Sequence, residues 1–447
     1  MKVKRSLKFK RSLKSKRFRE KRRIFKLKRR IKVKPKVNVR RPNPFLYFLA
    51  YTLIYPALKI CFKVKVDRSS LEMPKGAYIV LANHITMLDF LLAMLPLYPR
   101  RLNAVTAHKW FLSKPLNTML PKVGCIPKNM FDPDVRSIIS MKTVLNRGDS
   151  ILLFPEGRCS SSQVYTGMHK STGKLIKKFN VPVISCYLEG AEVCVPHWRK
   201  GFRFGRIRVT YKNLFSADDT QAFSIDDINT AIDARLSGTE GASPVIKPFQ
   251  TAFSRRLAEG LHQILFYCPK CKMEFTMTSF SNTIRCTACG NEATINRDSS
   301  LTPSPGSIAE KEISLWYKEQ VKQIMSTLTD DMEPITENVK VRMPSSVQGG
   351  GMVDSGFGVI RLEPKGWYYD GELSGEKVNL FFPVETIPAI SYDHYDNFQI
   401  YYAGDFYMFI PENLQNCIKY VILAECLHKK FSPRALMTQG NNSGFIS

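Results

Sequence analysis

The stretch "NHITMLDF", residues 83–90, sets His84 and Asp89 five positions apart, directly after the apolar run "AYIVLA". An imidazole titrating near neutrality is suited to take a proton at physiological pH. A carboxylate beside it can fix its tautomer and stabilise the imidazolium. Alone, the pair has a second explanation: a satisfied core histidine next to a helix-capping aspartate. A separate reactive group lies downstream. "CPKC" and "CTACG" place Cys268, Cys271, Cys286 and Cys289 as two Cys-x2-Cys pairs with fourteen residues between them. Four thiolates at that spacing point to tetrahedral Zn²⁺, and Gly290 helps the second pair to turn. With every ligand position supplied by protein, that metal is structural and takes no substrate.

These groups need elements to position them. Between residues 64 and 215, "AYIVLAN", "NAVTAH", "SILLFPEG", "VPVISCYLE" and "FGRIRVTYK" read as strands. "FLLAMLPLY", "RSIISMKTVLNRG" and "STGKLIKKFN" read as the helices between them. The alternation predicts an α/β domain with a largely parallel sheet. Helical positions five apart diverge by about 140°. His84 and Asp89 therefore meet only if residues 83–86 turn and a helix starts near Thr86. Such a turn lies at the C-terminal edge of the sheet, where α/β folds build their sites.

The α/β domain is expected to span 64–267, closing with helices at "SIDDINTAIDARL" and "PFQTAFSRRLAEGLHQILFY". A zinc ribbon at 268–297 is followed at 298–334 by a Ser/Pro linker, "DSSLTPSPGS", and an amphipathic helix, "SIAEKEISLWYKEQVKQIMSTL". Residues 335–432 turn to short strands punctuated by Gly, Pro, Asn and Asp, then one helix, with a tail at 433–447. This looks similar to a pleckstrin-homology-like module, a β-sandwich capped by a helix; fold alone licenses no ligand for it.

The succession N-H-x4-D, then "GCIPKN", "FPEGRCS" and "VPVISCYLEG", each near a strand, resembles the glycerolipid acyltransferase family, whose bacterial type is 1-acyl-glycerol-3-phosphate acyltransferase. The resemblance covers about 170 of the 447 residues, 45–215. It implies that His84 is the general base and Asp89 its orienting carboxylate in transfer from a thioester to a hydroxyl. No protein nucleophile is needed, because the acceptor hydroxyl attacks directly. It implies further that Glu156, Gly157 and Arg158 help to hold the acceptor's glycerol phosphate, glycine allowing close approach and arginine a bidentate contact. The commoner family form has threonine between glycine and arginine, whereas Arg158 follows Gly157 directly. Lys128 in the second motif is a phosphate ligand or a solvated loop lysine; Val181, Pro182 and Val183 shape a substrate pocket or are plain core strand. The implied product is phosphatidic acid from a lysophosphatidic acid acceptor; another lysolipid or glycerol-3-phosphate is the alternative acceptor. The acyl donor is acyl-CoA or acyl carrier protein, and no organic cofactor is needed.

Charge is distributed unevenly. The chain carries 67 Lys and Arg against 38 Asp and Glu, and residues 1–41 hold 22 of those bases with one acid, Glu20. This arm is too poor in apolar residues to fold. It fits an anionic membrane surface, nucleic acid, or solvent alone. Its neighbour "PFLYFLAYTLIYPALKICF" favours the membrane: at 42–63 it reads as a membrane-associated helix, one of about fourteen uninterrupted apolar residues containing Pro56. A spanning helix needs about twenty, so a monotopic helix fits best, with Lys59, Lys63 and Lys65 at the headgroups. Seven further cysteines show no disulfide-like spacing, which together with the basic flank implies a cytoplasmic-face location. Two rival functions remain: a non-catalytic membrane tether, against which the intact His84, Asp89 and Glu156 speak, and a nucleic-acid binder. The latter would rest only on the arm and the cysteine module.

Overall fold

A computed structural model of the chain describes residues 39–131, 134–162, 165–199, 201–238, 252–346, 350–393 and 396–432. The basic arm, except for its last three residues, and the 433–447 tail lie outside these. The first element is helix α1, Pro44–Phe62. Asn43 caps it, its side chain accepting from the Phe45 and Leu46 amides, and Pro44 takes the first position, where no N–H is needed. Pro56 removes one backbone donor, and the helix absorbs the loss by winding as a π-helix over Ala50–Ile54 before resuming. The helix takes in all of "PFLYFLAYTLIYPALKICF", running past the uninterrupted apolar stretch through Lys59 to Phe62. At 19 residues and mostly exposed, it is the one helix among the described residues long and apolar enough to cross a membrane.

Strands β1 (Lys65–Ser70) and β2 (Ile79–Ala82) lead to helix α2 (Asp89–Met94). Strand β3 (Leu102–Ala107), helix α3 (Leu116–Lys122), strand β4 (Ile126–Lys128), helix α4 (Val135–Asn146) and strand β5 (Ser150–Leu153) follow. Next come α5 (Ser171–Phe179), β6 (Val183–Glu189), α6 (Ala191–Cys194), β7 (Phe204–Gly205) and β8 (Arg208–Phe215), then α7 (Ala217–Ala222) and α8 (Ile225–Leu236). The sheet order is β1-β8-β6-β2-β5-β3-β4. Strands β6, β2, β5, β3 and β4 run parallel, and β8 is antiparallel to β6. The largely parallel sheet expected from the sequence is present. Its central strands are buried on both faces, as their unbroken Ile, Val and Leu runs require. Helix α1 packs through Tyr47, Tyr55, Leu58 and Phe62 into the core that also takes Leu92, Ala93 and Met94 of α2.

Residues 252–267 depart from expectation. The sequence predicts helix here; the chain instead forms strand β9 (Ala252–Phe253) and a single 3-10 turn at Leu261–Gln263. Two causes are visible. Gly260 adopts φ +84 and breaks the helical path. The backbone groups beyond it are also claimed elsewhere: the buried Gln320 accepts from the Phe266 and Tyr267 amides and donates to the Ile264 carbonyl. The predicted linker "DSSLTPSPGS" likewise carries a strand. β10 (Met277–Phe280), β11 (Thr283–Cys286), β12 (Glu292–Ile295) and β13 (Leu301–Pro303) form one antiparallel sheet, so the cysteine-rich module continues beyond residue 297.

Helix α9 (Ile313–Thr327) precedes a seven-stranded antiparallel sheet. It comprises β14 (Ile335–Pro344), β15 (Met352–Glu363), β16 (Gly366–Leu373), β17 (Glu376–Pro383), β18 (Ser391–Asp393), β19 (Asn397–Tyr402) and β20 (Asp405–Pro411). Its order is β17-β16-β15-β14-β20-β19-β18, two meanders joined where β14 meets β20. Helix α10 (Asn416–Phe431) closes it. The cysteine module, α9, this sheet and α10 share one hydrophobic core, including Ile284, Trp316, Trp367, Phe398 and Leu423.

Candidate active site

Strands β2, β5 and β4 run in the same direction, so the segments leaving their C-terminal ends emerge along one edge of the sheet. Those segments carry His84, the Phe154–Ser162 loop and Lys128. After β2 the chain turns over residues 83–88, and α2 begins at Asp89 itself, slightly later than expected. Asp89 is fully buried and organises the turn. Its Oδ2 accepts from the Ile85 amide at 2.6 Å and the Thr86 amide at 2.8 Å, and its Oδ1 from the Thr86 hydroxyl at 2.6 Å. The same Oδ2 lies 3.0 Å from Nδ1 of His84. That contact assigns the proton to Nδ1 and leaves Nε2 as the basic nitrogen. The two residues are brought together by a turn, as their spacing demands.

His84 is fixed on every side. Its amide donates to Oε1 of Glu156 at 2.6 Å, and its carbonyl accepts from the Ser160 amide at 2.8 Å. Phe154 stacks on its ring, centroids 4.3 Å apart. The Cys159 sulfur is 3.6 Å from Nδ1 and 3.5 Å from Nε2. Near-equal distances to both nitrogens put the sulfur over the ring, away from the line of either lone pair. Burial alone would lower the imidazole pKa; the neighbouring Cys159 and Asp89 more than offset this and hold His84 well above its ordinary 6.5.

Glu156 is buried and committed to backbone. Beyond the His84 amide, its Oε2 accepts from the Thr166 amide at 3.1 Å and the Thr166 hydroxyl at 3.2 Å. Burial raises its pKa to about 7 against the opposing pull of these donors. It ties the β2 and β5 loops together. Gly157 has φ +80 with Met130 and Phe131 against the place of a Cβ, so both conformation and space favour glycine there. Lys128 stands, half-buried, at the end of β4.

Arg158 turns the other way. Its side chain, 10% exposed, donates to the Ile390 carbonyl at 3.1 Å and pairs with Glu425 of α10, itself 41% exposed. The second residue after the glycine, where the commoner family spacing puts arginine, is Cys159, and this is the side chain that faces His84. That offset was legible in "FPEGRCS"; the partner of Arg158, 267 residues away, was not. Further contacts join this loop region to the C-terminal sheet. Ser161 Oγ and the Tyr392 hydroxyl are 2.6 Å apart, and Lys109 Nζ lies 2.6 Å from Asp393 Oδ1. Met130 and Phe131 pack with Tyr401 and Phe406 of the β19–β20 hairpin.

The four cysteines converge. All four sulfurs lie within 4.8 Å of one another, with Cys268–Cys289 and Cys271–Cys286 at 3.7 Å. A tetrahedron built on Zn–S bonds of about 2.3 Å has edges of about 3.8 Å, so these sulfurs fit a zinc ion. Gly290, φ +73, turns one knuckle as expected; Lys272, φ +65, does so in the other.

Residues 63–189 match the family model described as Acyltransferase. This is the segment that holds every residue of the site just described except Ile390, Tyr392 and the other C-terminal groups. Among solved structures the chain is similar to the 1-acyl-sn-glycerophosphate (LPA) acyltransferase PlsC from Thermotoga maritima, at 16% identity and a TM-score of 0.38, over 44% of this chain and 81% of that one.

Proposed function

We propose that this chain, which carries an Acyltransferase-family domain at residues 63–189, moves a fatty acyl group from a thioester to the free hydroxyl of 1-acyl-glycerol-3-phosphate, giving phosphatidic acid. The observation that carries this reading is the His84–Asp89 pair: Nδ1 tied to a buried carboxylate at 3.0 Å, Nε2 left for the acceptor. The acceptor oxygen attacks the thioester carbonyl while Nε2 takes its proton. The carbon–sulfur bond then breaks, and the imidazolium returns the proton to the departing thiolate of CoA or acyl carrier protein. Asp89 stabilises the imidazolium in between. Glu156 and Gly157 shape the loop that holds His84 in place.

Lys128 is the acceptor-phosphate ligand in this reading. Arg158 joins it only when α10 releases the guanidinium. That condition favours, as a second reading, a lysolipid acceptor with no phosphate monoester. The apolar α1 and the basic arm seat the enzyme on the cytoplasmic face of an anionic membrane. The four cysteines hold a structural Zn²⁺ that stabilises the C-terminal core and takes no part in the transfer, and the C-terminal sheet is read as a pleckstrin-homology-like module on the support of its two-meander order and closing helix. Steady-state kinetics with both donors, using lysophosphatidic acid and monoacylglycerol as acceptors, tests the proposal. His84→Ala should depress both acceptors by about 10²–10⁴-fold, and the phosphorylated acceptor should have the higher kcat/KM. An unchanged rate in the variant would overturn the catalytic assignment; equal kcat/KM would overturn the phosphate acceptor.

A further inference from the structure

Residues 202–207 are turned inside out. Phe202, Phe204 and Arg206 face solvent, while Arg203, Gly205 and Ile207 face the interior. On a half-buried strand apolar side chains normally face in and charge faces out. Here Phe202 is 50% and Phe204 54% exposed, whereas Arg203 is 3% exposed. The buried guanidinium is held by carbonyls, donating to Leu257 at 2.6 Å and Val193 at 3.3 Å. β7 pairs with β9 so that Phe204 lies opposite Phe253, a third exposed ring. The three phenylalanines thus stand on a short two-stranded ribbon that is anchored from below.

The ribbon continues the apolar surface of α1. Phe202 meets Phe62, the last residue of that helix, edge-on at 5.6 Å and Phe204 at 5.7 Å. Further along α1, Phe45, Leu53 and Ile60 are exposed. The rim is basic: Lys63 Nζ lies 5.2 Å from the Phe253 ring centroid, and Lys65, Arg206, Arg255 and Arg256 are exposed nearby in sequence. Residues 42–66 and 201–215 contain no Asp or Glu.

We propose that Phe202, Phe204 and Phe253 form a second lipid-contacting element that inserts, together with α1, into the interface of an anionic bilayer, with Lys63 and Arg206 at the headgroups. An apolar face with a mainly basic rim, in which Glu259 pairs with Arg256, complements anionic lipid on both counts, and its continuity with a 19-residue apolar helix favours a bilayer over a protein partner. The inference rests on the membrane association proposed above and adds a named footprint to it. Because α1 and α2 share one core, two fixed contacts would hold the His84-bearing domain in a set orientation to the lipid, where one helix alone would let it rotate.

The test uses the full chain and vesicles of phosphatidylcholine with phosphatidylglycerol, at salt high enough to screen the arm. The triple variant Phe202→Ser, Phe204→Ser, Phe253→Ser should lower the partition coefficient about tenfold or more, while its activity toward a short-chain monomeric acceptor stays at the wild-type level. In a second measurement, Phe204→Trp emission, after subtraction of the four native tryptophans, should shift to the blue on vesicle addition and be quenched by brominated acyl chains. Undiminished vesicle binding by the triple variant, or unshifted emission from a bound Phe204→Trp, overturns the proposal. The variant Phe45→Ser, Leu53→Ser, Ile60→Ser separates the two layers. If it abolishes binding while the ribbon variant does not, the membrane reading survives and the ribbon footprint falls. If wild type binds no vesicle, both fall.

Discussion

His84 sits between Phe154 on one face and the Cys159 sulfur on the other, with Asp89 behind it. A base must be neutral to work, and these neighbours favour the charged form over the opposing effect of burial. The rate should therefore climb with pH through a value well above 6.5, and Cys159→Ala should keep activity while moving that limb toward lower pH. A kcat/KM profile of the two proteins measures the shift. Glu156 gives a stability signature of opposite chemistry. Its folded pKa of about 7 exceeds the ordinary 4.5, so the native state holds the proton more tightly than the unfolded chain. Its contribution is fully present below about 4.5 and is lost as pH rises through about 7. Melting temperatures of wild type and Glu156→Gln should diverge across that window, with wild type losing ground as pH rises.

At the scale of elements, the strands that precede the His84 turn and the "FPEG" loop were readable because a buried parallel strand needs an unbroken apolar run, and both "AYIVLA" and "SILL" supply one. The failure at 252–267 has an equally physical origin. The stretch has the periodicity of a helix, but Gly260 and the distant Gln320 redirect its backbone, and no local pattern announces a partner in another helix. The Ser/Pro linker hides its strand for the same reason, since β13 pairs along the edge that β12 offers it. The cysteine knuckles were legible from spacing alone. Protein purified without chelators should contain one Zn²⁺ per chain by metal analysis. Cys286→Ser should lower the melting temperature more than it slows the chemical step, because structural zinc contributes folding energy directly.

For the whole molecule, the acyltransferase domain is joined to the C-terminal sheet through its own motif loop. Arg158 was expected at a phosphate and is found at Glu425 and Ile390. Glu425→Gln weakens that pair without emptying the space, and it should raise kcat/KM for lysophosphatidic acid relative to monoacylglycerol if the freed guanidinium reaches the acceptor. The charge-assisted contact regained is worth roughly 1.5–3 kcal/mol. If the ratio is unchanged while Arg158→Ala lowers the melting temperature, Arg158 serves only as an interdomain tether. The Tyr392–Ser161 and Lys109–Asp393 contacts keep the two parts together in the Gln variant, so the readout is selectivity and not dissociation.

The separation of 267 positions between Arg158 and Glu425 also sets an order of events during synthesis. A ribosome adding about 5–20 residues per second completes "FPEGR" tens of seconds before it reaches α10. For most of that interval Ser161 of the loop, and Met130 and Phe131 outside it, lack the partners they have in the finished molecule. The α/β sheet can form early, but the motif loop reaches its final surroundings only once Ile390, Tyr392 and Glu425 have been made. The final setting of the His84 turn thus waits on residues 390–425: a chain released before them would present that turn without the C-terminal groups that pack against its neighbouring loop.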